Sequence, residues 1–201
     1  LAPLVVLVAG PRPMGLGFWW DLSMALGFGG LAMMAIQFVL TARFRRATAP
    51  FGIDVIYDVH RYLGVGAMVI VLAHPIMAIA DNSAIVGYLD PRSAPSHMTA
   101  GVWSLVALVA LIVLSVARRR LGMSYEAWRT THVLLAVAAV GLAFFHIYRV
   151  QYYMSAPQNA AVWLAVVVSC GAVVTFVRGI RPWQLLRHPY RVVSVVPERG
   201  D

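Results

Sequence analysis

The chain has 201 residues, of which 61% are hydrophobic and 12% charged, with a mean hydropathy of +0.77. A soluble domain is nearer half apolar and a quarter charged, so the composition excludes a water-soluble globular protein and suits a single helical membrane bundle. The net charge of +8 rests on sixteen arginines and no lysine; in so apolar a chain it reads as a topology signal and membrane-surface contact, not as a nucleic-acid footprint.

Residues 1–10 are apolar but cover only ~15 Å as a helix, about half a bilayer core. They are expected to end a first membrane helix whose beginning is missing, with Gly10, Pro11 and Pro13 stopping it. A second span is expected over residues 15–41. Phe18, Trp19 and Trp20 form an interfacial belt at one end, and Gly27, Gly29 and Gly30 offer a side for close helix approach. Asp21, at the wet end, reads as a solvated cap. A polar connection with Arg43, Arg45, Arg46 and Pro50 leads to a third span over residues 56–80, where Pro75 is expected to bend the helix. Residues 81–99 read as a long loop rich in turn formers. A fourth span follows over residues 100–117, a fifth over 127–150 and a sixth over 159–177. Residues 178–201 are polar and basic. The single Cys170 lies in an apolar span and reads as a small buried hydrophobe.

The third and fifth spans carry the chemistry. His60 and His74 are 14 residues apart, and so are His132 and His146. Fourteen residues rise ~21 Å and return to nearly the same face of a helix. Each of these helices thus carries two histidines on one side, one toward each membrane surface. Ionisable residues within a span are costly and usually functional. A lone intramembrane histidine can be a packing residue or a helix–helix hydrogen bonder, but two pairs of equal spacing argue otherwise. Zinc fits less well, because no cysteine or carboxylate sits near either pair to complete a tetrahedral site. The chemistry that fits is two stacked haems, each held by two neutral imidazoles. Gly64, Gly66 and Ala67, with Ala136–Ala139 and Gly141, are the small residues a flat macrocycle would lie against; they serve equally well for helix packing.

Alternate connections divide the arginines unevenly. Thirteen of the sixteen fall on one side, and only Arg12, Arg92 and Arg149 on the other. The positive-inside rule makes the first side cytoplasmic, in a plasma (inner) membrane. His60 and His132 then share the cytoplasmic depth, and His74 and His146 the outer depth.

These His-x13-His helices, with FGIDVIYDVHR leading into the third span and WRTTH opening the fifth, resemble the ferric reductase-like transmembrane domain, in a bacterial form. That domain is shared by ferric reductases, NADPH oxidases and a haem subunit serving methionine sulfoxide reductase. The tail HPYRVVSVVPERGD is similar to the first strand of the flavin-binding domain that follows the membrane part in reductases and oxidases.

The resemblance implies an all-α integral membrane protein, a six-helix bundle with an incomplete first helix holding two b-type haems. Residues 1–180 would be the haem domain, and 181–201 the start of a flavin-binding domain at which the chain is cut. It implies an oxidoreductase passing electrons from a cytoplasmic NAD(P)H and FAD module to a small external acceptor. His60 and His132 would hold the inner haem, and His74 and His146 the outer one. Arg61 and Arg129 are candidates for the inner propionates, and Arg149 and Arg92 for the outer ones. Each could equally be a topology or headgroup arginine. Oxidases carry a further histidine one turn beyond the outer ligand of the third span, where this chain has Ala78, and an arginine at the outer end of the second span, which is absent here. Ferric chelates are therefore the expected acceptor. Superoxide production, a stand-alone haem subunit serving a partner protein, and a quinol-oxidising cytochrome b are the alternatives. His97 could touch an acceptor, or be a solvated loop residue. Asp81, Asp90, Tyr152 and Tyr153 could hold a chelated metal near the outer surface.

Overall fold

The structure, a computed structural model, describes residues 4–5, 15–42, 52–189 and 194. The described part is helical. Five helices are long and apolar enough to cross a bilayer: α1 (Phe18–Thr41), α2 (Ile53–Asp81), α3 (Ser96–Ala117), α4 (Tyr125–Val150) and α5 (Pro157–Thr175). The last runs on through a π turn, Phe176–Ile180, into a short helix α6 (Arg181–Arg187). No strand occurs among the described residues.

The expected first span lies outside them except for Leu4 and Val5, which are helical, with Leu4 against the core. The connection bearing Arg43, Arg45 and Arg46 also lies outside, as do Arg12, Arg191, Arg199 and nearly all of the expected strand at residues 190–197.

Helix boundaries follow local chemistry. The Ser124 side chain caps α4 by accepting from the Ala127 amide at 3.2 Å. Gly122 turns the chain between α3 and α4 at φ 61, a left-handed conformation that suits glycine. Pro157 opens α5 where its missing N–H is harmless. Helix α2 continues through Pro75 to Asp81.

The loop expected over residues 81–99 is more ordered than its composition implies. Asn82 accepts from the Ala84 amide at 3.1 Å, starting a 3-10 turn over Ser83–Leu89. Helix α3 begins at Ser96, just after Pro95, whose carbonyl accepts from the Met98 and Thr99 amides. His97 is therefore in the first turn of a helix.

Two hairpins make the bundle: α1 packs along α2, and α3 along α4. Helix α1 is central. Its Phe28, Leu31, Met34, Ala35 and Phe38 meet Trp163 and Cys170 of α5 in the core. Cys170 is buried as expected, its Sγ 3.8 Å from the Ala35 carbonyl. Ser104 ties the second hairpin by donating to the Ala139 carbonyl at 2.7 Å. The two histidine helices, α2 and α4, are not packed extensively on each other, and each buries only two residues fully: Ala67 and Ala78, and Ala139 and Val140.

The glycines divide by role. Gly27 and Gly30 face α2, but Gly29 has nothing near its missing side chain. Gly64 and Gly66 face Gln37 and Met33 of α1, so they serve hairpin packing and not a surface for a macrocycle. At Gly30 an added Cβ would overlap the Val71 side chain. Gly30→Leu is expected to force α1 from α2 and lower stability by about 1–3 kcal/mol, the usual cost of overpacking. Thermal unfolding in detergent, with Gly29→Leu as the tolerated control, checks this.

Candidate functional site: two histidine pairs between the hairpins

All four histidines are partly buried and lie on the two helices that flank the gap between the hairpins. His60 and His132 meet at one depth, with ring centres 6.2 Å apart and planes tilted by 52°. Two imidazoles on opposite sides of one metal ion, each nitrogen ~2 Å from it, have ring centres roughly 6 Å apart. His74 and His146 line a cavity of about 220 Å³ at the other depth. Its remaining walls are almost wholly apolar, with Pro75, Ala78 and Ala143 among them.

The Nδ1 atoms decide what each ring can do. His74 Nδ1 lies 2.7 Å from the Ser23 carbonyl, and His146 Nδ1 lies 2.9 Å from the His97 carbonyl. A carbonyl only accepts, so both Nδ1 atoms carry the proton, and in the neutral ring Nε2 keeps a bare lone pair. Ser115 fixes His132 by saturation. Its one hydroxyl proton goes to the Leu111 carbonyl at 2.7 Å, and its oxygen accepts from Trp128 Nε1 at 3.3 Å. The second lone pair then faces His132 Nδ1 at 3.0 Å, which must donate. Trp128 also lies against the His132 ring, at 5.4 Å. Metal-ligating histidines characteristically donate their other ring N–H in this way.

Glycines admit two of these rings. A Cβ on Gly27 would stand 3.1 Å from His74 Nδ1, and one on Gly101 3.0 Å from His146 Nδ1. Gly27 follows Ser23 by four residues, and Gly101 follows His97 by four. Each hairpin thus presents one carbonyl and, a turn later, one bare patch of backbone to its outer histidine.

The arginines are more peripheral. Arg129 is exposed, paired with Glu126 at 2.9 Å and set over the Tyr125 ring. Arg61, Arg149 and Arg92 are also exposed. Arg118 lies over both Tyr125 and Trp128, within cation–π range. Arg178, in the π turn, comes within electrostatic reach of His132. At the other end Tyr152 and Tyr153 border the cavity; burial and the Asp21 carboxylate hold the Tyr152 phenol above its ordinary range. Asp81 ends α2, and Asp90 accepts from the Arg92 amide at 3.0 Å.

Sequence reasoning missed Ser23, Gln37, Gly101, Ser115, Trp128 and Arg178. The signal for Ser23 and Gln37 was there: they are 14 residues apart on α1, the spacing of the histidines on α2. Among the described residues, no three His, Cys, Asp or Glu side chains gather to hold a metal ion. Two imidazoles per level are what a haem needs from protein, since its macrocycle supplies the other iron ligands.

Residues 26–143, more than half of the chain, match the family described as ferric reductase like transmembrane component. The chain belongs to that family. An uncharacterized protein of Archaeoglobus fulgidus is 28% identical over 123 residues, covering 57% of this chain and 67% of the relative. No solved structure matches it. Membership in the ferric reductase-like family makes this an oxidoreductase-type, multi-pass membrane protein, points to transmembrane electron transfer, and places it among proteins that commonly bind haem.

The Ser115 network yields a test. Ser115→Ala leaves His132 Nδ1 and Trp128 Nε1 both unpartnered, and is expected to lower stability by about 1–3 kcal/mol. Ser115→Thr keeps the hydroxyl and should lose much less. Chemical or thermal unfolding of the two variants, read against the parent protein, measures the difference.

Proposed function

We propose that this chain is the transmembrane part of a ferric reductase-type enzyme, carrying electrons from a cytoplasmic NAD(P)H and flavin module to ferric chelates outside. The observation that carries the reading is the placing of the ring Nδ1 atoms against acceptors on a neighbouring helix. His74, His132 and His146 each have Nδ1–H held by a neighbouring helix, leaving Nε2 as the donor atom.

His60 and His132 would hold a haem b at the cytoplasmic level, and His74 and His146 a second at the outer level. Held by two imidazoles, each haem would supply a one-electron carrier suited to electron transfer more than to O₂ binding. The chain's own residues do the rest. Ser23, His97 and Ser115 hold each proton at Nδ1 and fix ring orientation. The apolar walls around His74 and His146 keep water away. In this reading residues 1–10 are the end of a first membrane helix, which with the five described spans makes six. Residues 1–180 form the haem domain and 181–201 the lead into a flavin-binding domain. The arginine-rich side faces the cytoplasm, and Arg61, Arg129, Arg149 and Arg178 are the candidates for propionate contact.

The preference for ferric chelates rests on Ala78. It is buried and lines the outer cavity where an oxidase would carry histidine. With alanine and not a polar side chain at position 78 to hold O₂ or deliver a proton, an outer-sphere acceptor is favoured, since it needs only approach to the edge of the site.

Purified protein is expected to show a bis-imidazole b-type absorption spectrum with two haems per chain by extraction. His74→Ala should lose the outer haem and keep inner haem; haem content unchanged by that substitution would refute the ligand assignment. Coupled to its flavin module, the protein should oxidise NAD(P)H faster with ferric chelate than without. Superoxide should account for a minor part of the flux in air. Superoxide matching total electron flux, with no gain from chelate, would instead establish an oxidase.

A further inference from the structure

Three of the four ring Nδ1 atoms have partners on α1 or α3. The fourth, His60 Nδ1, is buried and has none among the described residues. Beside it lies Gln37 of α1, whose Nε2 donates to the His60 carbonyl at 3.1 Å. The Oε1 of the same amide is also buried, without a partner among the described residues. Two residues already joined through the His60 backbone carbonyl thus hold, on their side chains, one potential donor and one acceptor that are both unmatched. Buried polar groups are rarely left so, because the desolvation cost of each falls on the folded state.

The register of the first hairpin shows what completes the pair. Helices α1 and α2 run antiparallel, and Ser23 and Gln37 are spaced as His74 and His60 are. Ser23 makes two paired contacts with His74, beside a 3.1 Å approach of its hydroxyl to the ring Nδ1. Its hydroxyl donates to the His74 carbonyl at 2.8 Å, and its own carbonyl takes the Nδ1 proton. Gln37 already makes the first of these two contacts with His60. Gly64, one turn beyond His60, leaves room for it: a Cβ there would lie 3.1 Å from Gln37 Nε2.

We infer that Gln37 is the positioning residue of His60, its amide nitrogen on the His60 carbonyl and its amide oxygen accepting the Nδ1 proton. The inference rests on the two-haem reading above. Acceptance of that proton fixes Nε2 as the ligating atom and makes the imidazole a stronger donor to iron, as at the other three rings. It also makes Gln37 the residue through which α1 tunes the inner site alone.

The test uses the full chain, haem-loaded, in detergent. Midpoint potentials of both haems are measured by spectroelectrochemistry and their low-spin signals by electron paramagnetic resonance. The inner haem is identified as the one lost in His60→Ala. Gln37→Leu is expected to raise the inner midpoint and shift its signal, leaving the outer haem unchanged. Gln37→Glu, a stronger acceptor, is expected to move the same midpoint downward. A residue with only a packing role would not give opposite signs. If Gln37→Leu fails to fold, Gln37→Asn, too short to reach, should show the same upward shift. Two haems in the parent protein with both midpoints unmoved by Leu and Glu, or both haems shifting equally, would overturn the role of Gln37 alone. A parent protein holding no haem would overturn the underlying reading as well.

Discussion

An imidazole N–H buried in a lipid-facing bundle must find an acceptor, and here the acceptors come from the neighbouring helix. The four rings are partly buried, and leaving a buried donor unmade costs about 1–3 kcal/mol. Helix backbone carbonyls are normally occupied by their own i+4 amides, but a carbonyl has two lone pairs. The Ser23 and His97 carbonyls can therefore accept from His74 and His146 as well. This explains why the unit of the fold is the hairpin. Helices α1 and α3 hold the rings, and α2 and α4 carry them.

That arrangement sets where small residues belong. A ring can reach a neighbouring helix's carbonyl only if no side chain stands between them, which is the role of Gly27 and Gly101. Gly64 and Gly66 bring α2 onto Gln37 and Met33 instead. Burial follows the same logic. Helix α1 fills the core, and the histidine helices keep most of their surface toward lipid or toward the gap between the hairpins. Driving force from water is weak between helices in a bilayer, so van der Waals fit and hydrogen bonds such as Ser104 to Ala139 carry the assembly.

Much of this was legible in the sequence. Five apolar runs of adequate length became five helices, because a bilayer admits few other ways to satisfy the backbone. The 14-residue histidine spacing placed two pairs at two depths for the same geometric reason. The partners of those histidines were less legible. Ser115 is a common residue in apolar helices, and only its three simultaneous contacts with Leu111, Trp128 and His132 reveal its role. His97 was hidden differently: it contributes its backbone, and a carbonyl leaves no trace in side-chain chemistry. The proline- and serine-rich run before it suggested loop, yet Asn82 and Pro95 are starters of turns and helices as much as breakers.

The π turn at Phe176–Ile180 has a consequence for azimuth. From Pro157 to Arg187 the helical run is 31 residues, about 46 Å, against a hydrocarbon core of ~30 Å. A third of it therefore stands clear of the apolar layer as a stalk. Winding by one extra residue per turn sets everything beyond it back by about 100° relative to an uninterrupted α-helix. The direction in which Trp183 and Arg187, stacked at 4.1 Å, leave the stalk is thus fixed by five residues at its base. A one-residue deletion there would leave the span intact and turn that whole face to another quarter of the membrane plane.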